Sequence, residues 1–451
     1  MTELVLDSLA EIAVTASPPE RAVSFHTLGC KTNQLETSAL ANAFRARGWR
    51  VTSFDEPASV AVINTCTVTE RADADSRRAI RRARLANPEA RIVVTGCYAQ
   101  VAPQAVSQLP GVDYVIGNNL KDRLLDILET VPRGDTPVTQ VGDIDKSRMM
   151  AGAAACDVDR TRASLKIQDG CDFKCAYCII WEARGKSRSL SVADILAQLQ
   201  ELEAFGYREV VLTGINIGQY EDLDAGLDLV GLLSRLVEAA GSARLRLTSL
   251  DPVEVSDGLI ETIARSNGRI CPHLHLSAQS LCDDVLKAMG RRHRASDVIV
   301  ACQTIASQLP DAGLGADIIV GFPGETEAMF AQTAALIESL PWTYLHVFRY
   351  SRRPGTPAAD WGDQLPESVK TARAEHLRSI IDAKNRRFRH RLIGKTFPAL
   401  IEESGRCGMT DRYVKISLTP QTPAHEPNAL ISARVESVED DITWATPVML
   451  Y

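Results

Sequence analysis

The chain has 451 residues, 45% of them apolar, which is room for about three domains of roughly 150 residues, each with its own core. A formal net charge of −7 excludes a protein that coats nucleic acid by bulk charge and leaves only local basic patches for that purpose. No apolar run reaches membrane-spanning length, and the start MTELVLDSLAEIAVTASPPE lacks the basic and apolar blocks of a secretion signal, so a cytoplasmic protein with no membrane partner is expected.

Residues 1–20 read as a polar tail. From 21 to 142, short β-branched runs (AVSFHTLGC, VAVINTC, RIVVTGC, VDYVIGN) alternate with helical stretches such as ETSALANAFRARGW and RRAIRRARLAN. That alternation predicts an α/β domain with a doubly wound parallel sheet. Cys30, Cys66 and Cys97 each fall at, or just past, the end of one of those strands. The carboxyl ends of parallel strands share one edge, where ligands bind, so the three cysteines are expected to converge.

Residues 143–162 lose periodicity and read as a linker. From 163 to 391 a second series follows: SLKIQ, EVVLTGIN, RLRLTSL, HLHLSAQ, GADIIVGFPGE and YLHVFRYS, separated by amphipathic helical stretches. Six βα units predict a partial (βα)6 barrel with its site at the carboxyl ends of the strands. From 392 to 451, short runs split by Pro and Gly predict a small β-barrel.

Eleven cysteines in a reducing compartment are metal ligands or redox groups before they are a disulfide framework. Cys171, Cys175 and Cys178 stand at CxxxCxxC spacing after the first strand of the second series. A structural zinc knuckle or an ordinary ferredoxin cluster takes four protein ligands, and no fourth lies nearby. Three thiolates leave one iron of a 4Fe-4S cluster open to chelate a small molecule. A zinc site completed by a distant histidine or aspartate is the alternative. Cys30, Cys66 and Cys97 are a second set of three; taken singly, each reads as a small buried hydrophobe.

The CxxxCxxC segment resembles the radical S-adenosylmethionine superfamily. Together with HTLGCKTNQLE, VINTCTVTERAD, VVTGCYAQ and the small C-terminal barrel, it resembles the methylthiotransferase family from about Val23 to the C-terminus. The motifs LKIQDGC, VLTGIN, IVGFPGE and HVFRYSRRPGTPA look most like the branch that modifies N6-threonylcarbamoyladenosine in tRNA. Sister branches act on isopentenyladenosine in tRNA or on a ribosomal-protein aspartate.

The resemblance implies two 4Fe-4S clusters, on Cys30, Cys66 and Cys97 and on Cys171, Cys175 and Cys178. It implies S-adenosylmethionine as both methyl donor and radical source, methylthiolation of carbon 2 of the adenine, and an external low-potential electron donor. No catalytic side chain beyond the cluster ligands is singled out, and a monomer is expected. Tyr177, inside the motif, and Gly214, Ser249 and Gln279, at strand ends, are the candidates for holding the cofactor. Two places depart from the family pattern: Trp181, where a proline is usual, and HLHLSAQSLC, where Ser277, Ala278, Leu281 and Cys282 stand in altered positions.

For tRNA, Arg77, Arg78, Arg81 and Arg82 lie at helical spacing and Arg184 and Arg188 directly follow the cluster motif. The C-terminal barrel resembles the TRAM domain, an RNA-binding module. From Gly394 onward, however, it holds five Lys or Arg against eight Asp or Glu, which restricts any RNA contact to a patch around Arg412 and Lys415. A reading of another class, a non-catalytic iron–sulfur or zinc protein that binds RNA, predicts no cleavage of S-adenosylmethionine.

Overall fold

A computed structural model describes residues 21–146, 161–239 and 241–448; the expected tail and most of the expected linker lie outside the described residues. The first body is a six-stranded parallel sheet. Its strands are β1 (Ala22–Thr27), β2 (Arg50–Thr52), β3 (Val60–Thr65), β4 (Arg91–Gly96), β5 (Tyr114–Ile116) and β6 (Val138–Gln140), in the order β2-β1-β3-β4-β5-β6. Strand β3 is buried along its whole length, as expected of a parallel strand covered on both faces. Its alternate residues feed two cores: Val60 and Val62 pack with Leu40, Phe44 and Leu124, and Ala61 and Ile63 with Ile80, Ile92 and Val106. Helix α1 (Lys31–Ala46) follows β1 and covers one face. Helix α2 (Glu70–Ala86) covers the other and starts where the Thr69 hydroxyl accepts the Ala72 N–H at 3.1 Å, a side-chain N-cap. Helix α3 (Cys97–Val101) begins directly after β4.

The second body is the partial barrel. Strand β7 (Ala163–Lys166) leads, through the loop of three cysteines, to the short helix α4 (Ile180–Arg184). Strands β8 (Glu209–Thr213), β9 (Arg244–Leu247), β10 (Ser249–Leu250), β11 (His273–Gln279), β12 (Gly313–Val320) and β13 (Tyr344–Arg349) follow, all paired in parallel with their neighbours. β9 and β10 are two stretches of one strand interrupted at Thr248, so six strands are laid in chain order and the barrel stays open between β7 and β13. Leu274, Leu276, Ala316 and Ile318 join the apolar layer beneath the outer helices. The period of two therefore turns His273, His275, Ser277 and Asp317 to the interior.

Helix α5 (Glu367–Arg391) leads to a closed five-stranded barrel of β14 (Thr396–Ile401), β15 (Cys407–Thr410), β16 (Lys415–Leu418), β17 (Leu430–Glu439) and β18 (Ile442–Pro447). Two buried arginines of β9 fasten it. Arg244 donates to the carbonyls of Pro398 and Met409 at 2.9 and 2.8 Å, and Arg246 to those of Thr410 and Asp411 at 2.9 and 3.2 Å. Glu209 of β8 holds both guanidiniums, at 2.6 and 2.7 Å. Burial pushes the Glu209 carboxyl up, but Arg246 and Arg244 outweigh it and hold it down at about 2. No described helix is long and apolar enough to cross a membrane.

Candidate active site

The loop between β7 and α4 folds Cys171, Cys175 and Cys178 around the mouth of the barrel. They share a cavity of about 190 Å³ with Phe173, Tyr177, Asn216, Asp251, Ser277, Gln279 and Arg291. None of the three is in a disulfide. Burial pushes the Cys171 thiol up to about 11 and that of Cys178 to about 12, so a metal that takes them as thiolates displaces protons when it binds. Two donors address the sulfurs: the Arg291 guanidinium reaches Cys175 Sγ at 3.4 Å and the Ile180 N–H reaches Cys178 Sγ at 3.4 Å. Three thiols with sulfur-directed donors, facing a recess that also holds Asn216, Asp251 and Gln279, fit a 4Fe-4S cluster with one open iron.

Arg291 is the hinge of the recess. Its other nitrogen donates to Asp251 Oδ2 at 2.6 Å and to the Ser277 carbonyl at 2.8 Å. Asp251 Oδ1 in turn meets His293 Nδ1 at 3.3 Å, whose Nε2 reaches the Ala278 carbonyl at 3.0 Å. Asn216 donates to Glu254 at 2.9 Å, and burial raises the Glu254 carboxyl to about 7. Of the cofactor candidates, Tyr177 and Gln279 line the recess and Gly214 and Ser249 do not. Strand β8 ends at Thr213, and Asn216 of the following loop forms the wall. A Cβ at Gly214 would lie 2.8 Å from Gln168 Oε1, the oxygen that accepts the Ile215 and Asn216 N–H groups, so this glycine makes room for the side chain that shapes the loop. Ser249 pairs with His275 in the sheet. Gln279 sits at a break in strand register with a φ of 63°, which turns its side chain into the recess.

Cys30, Cys66 and Cys97 come together beyond the ends of β1, β3 and β4. A Cβ on Gly29, whose φ is 94°, would stand 2.8 Å from Cys66 Sγ, so only glycine allows this approach. Burial pushes the Cys66 thiol up to about 11 and raises that of Cys97. Asn118 lies 3.9 Å from Cys97 Sγ and donates to the Ala183 carbonyl of α4 at 2.8 Å.

Between the two cysteine groups runs a buried ionic network. Arg184 donates to Glu36 at 2.8 Å, to Asp169 at 3.0 Å and to Asn33 at 2.6 Å; Lys121 and Lys166 complete the set, at 2.5 and 3.2 Å from Glu36. Arg184, taken above as an RNA contact, is thus corrected to an internal bridge: its side chain is 2% exposed and all its bonds go to protein. Helix α4 turns inward and docks on the first domain, and a guanidinium that leaves water must find carboxylates. Arg353 adds a second tie, donating to Asp73 and Thr67.

The remaining basic candidates divide by exposure. Arg78, Arg81 and Arg82 project from α2; Arg78 pairs with Asp75, and Arg82 pairs with Asp55 and lies over the Phe54 ring. Arg77 is half-buried, 3.4 Å from the Tyr98 hydroxyl. Arg188 is held 3.9 Å from Asp169. Arg412 covers the Phe397 ring, whereas Lys415 is exposed on a cavity of about 630 Å³ that Lys31, Arg162, Ser164, Val211 and Tyr413 also line. Lys31 follows Cys30 in the chain, Ser164 and Val211 face the barrel interior, and Glu402 and Glu403 line the same cavity, so its charge is mixed. Sequence reasoning missed Arg291 and Asn216 and passed over Asp251; the DP after TSL was the only local signal.

Residues 22–117 match the model described as uncharacterized protein family UPF0004, and residues 165–337 match the radical SAM superfamily. The chain is similar to the threonylcarbamoyladenosine tRNA methylthiotransferase MtaB of Bacillus subtilis, with 38% identity over 87% of this chain and 89% of that protein. It is equally similar to its namesake in Aquifex aeolicus, with 38% identity over 87% and 96%. Among solved structures it is similar to the radical S-adenosylmethionine methyltransferase TsrM of Kitasatospora setae, solved with cobalamin and a [4Fe-4S] cluster bound. The TM-score is 0.57 at 15% identity, covering 75% of this chain and 77% of that one, a likeness of fold alone.

Proposed function

Because the chain belongs to the family of threonylcarbamoyladenosine tRNA methylthiotransferases, we propose that it adds a methylthio group to carbon 2 of N6-threonylcarbamoyladenosine beside the tRNA anticodon, as a two-cluster enzyme. The observation that carries this reading is the pair of cysteine trios joined through one buried network around Arg184. Cys171, Cys175 and Cys178 would hold the cluster that reductively cleaves S-adenosylmethionine, and Cys30, Cys66 and Cys97 a second one that carries the sulfur to be transferred.

The protein's own groups bind and orient. Asn216, Asp251 and Gln279 offer hydrogen-bond partners to the polar parts of S-adenosylmethionine, and Tyr177, edge-on to Phe322 at 6.4 Å, closes the recess on one side. Arg291 holds Asp251 and Cys175 in one geometry. The larger cavity, lined by Lys415, Tyr413 and Lys31, the residue after Cys30, is where a modified adenosine would enter. The exposed arginines of α2 meet phosphates on the same tRNA, and the electron comes from an external low-potential donor. The protein works as a cytoplasmic monomer.

The test is iron content after anaerobic reconstitution, with nucleoside analysis of treated tRNA. About eight irons per chain, falling to about four in the Cys171, Cys175, Cys178→Ala variant, together with the methylthiolated nucleoside from wild type only, sustains the reading. About four irons in wild type and none in that variant would remove the second cluster from it.

A further inference from the structure

We propose that His275, Asp317 and His346 form a site for a divalent transition-metal ion on the inner wall of the partial barrel, separate from both cysteine groups. The three residues come from the adjacent strands β11, β12 and β13, and Asp317 and His346 are direct partners in register. Their donor atoms all lie within 4.8 Å of one another. His275 Nε2 stands 2.9 Å and His346 Nδ1 3.1 Å from the same carboxylate oxygen, Asp317 Oδ1.

Bonds of about 2.0–2.2 Å at tetrahedral angles put neighbouring donors roughly 3.3–3.6 Å apart. The two His–Asp pairs stand a few tenths of an ångström short of that spacing, and all three donors lie within 4.8 Å, so side-chain adjustments close the site on an ion. Two imidazoles and one carboxylate are the donor set of three-ligand zinc sites and of non-haem iron(II) sites with open positions.

The outer support is present as well. The Tyr344 hydroxyl lies 2.9 Å from His275 Nδ1 and 2.8 Å from His273 Nε2. With Nδ1–H donating to the phenol oxygen and the phenol O–H donating to His273, the Nε2 lone pair of His275 is free to ligate, and the ring is held in place. The His346 side chain is 51% exposed while that of His275 is 7% exposed, so one side of the site stays open for water or another oxygen ligand. On β11 the site is two residues below Ser277, about 7 Å along the strand from the recess that the CxxxCxxC cysteines share. The same three groups without an ion would share protons instead, and the measurement separates the two states.

The untagged, cluster-loaded full chain is cleared of loose metal with a chelator under anaerobic conditions and dialysed against zinc, with zinc and iron counted in the same sample. One zinc per chain with unchanged iron is expected. Asp317→Asn, nearly isosteric, and His346→Ala, at a half-exposed position, should each weaken binding more than about 100-fold with iron retained, and Tyr344→Phe roughly 10–100-fold. Absence of a saturable site, zinc gained only as iron is lost, or equal binding by either ligand variant with its iron intact would overturn the site.

Discussion

Replacing Arg184 by methionine keeps most of the side-chain volume and removes the charge at the centre of the interdomain network. In the native protein two buried carboxylates, Glu36 and Asp169, face three buried cations, Lys121, Lys166 and Arg184. Without the guanidinium, Asp169 keeps Lys166 at 3.2 Å and Arg188 at 3.9 Å, and Asn33 Oδ1 loses its 2.6 Å donor. Breaking one partner of a buried ion pair costs about 3–5 kcal/mol. For a unit of 150–250 residues that is a fall in Tm of roughly 6–20 °C, to be read by anaerobic calorimetry on the cluster-loaded protein. The dependence of tRNA affinity on salt is the companion measurement. A buried arginine contributes no phosphate contact, so the slope of log affinity against log salt stays as in wild type. An unchanged Tm with a slope reduced by about one would refute the burial argument and return Arg184 to the RNA surface.

Arg81→Glu should do the opposite, leaving stability within about 0.5 kcal/mol of wild type and lowering the salt slope by about one. Arg291→Met withdraws a donor from Cys175 and the partner of Asp251; 5′-deoxyadenosine formation should fall about 10–100-fold at unchanged iron content, and a normal rate would deny Arg291 its positioning role. Glu209 has its carboxyl lowered from 4.5 to about 2 by its two arginines, so its contribution, about 3 kcal/mol, is complete above pH 4.5 and fades as the pH falls toward 2. Urea midpoints measured across that interval should drop more steeply in wild type than in Glu209→Gln, and parallel curves would contradict this.

The order of elements was legible because continuous β-branched runs such as VAVIN and amphipathic helical stretches repeat along the chain, and parallel topology then brings their carboxyl ends to shared edges. The CxxxCxxC spacing likewise belongs to one loop, so its three thiols had to meet. Strands β2 and β6, three residues each at the two edges of the first sheet, are too short to show a period and exist only because a neighbour pairs with them.

Sequence by itself determined the fold class, the three bodies and the six cysteines of interest, since these follow from periodicity and local spacing. Tertiary structure alone decided what each polar side chain meets. RGKSRS reads as a basic cluster placed to meet the substrate, yet the inward turn of α4 sends Arg184 to Glu36, 148 positions away, while Arg291 reaches Cys175 across 116 positions. His275, Asp317 and His346 converge for the same reason: each faces the barrel interior by its strand's period of two, and only the parallel pairing of β11, β12 and β13 brings the three side by side.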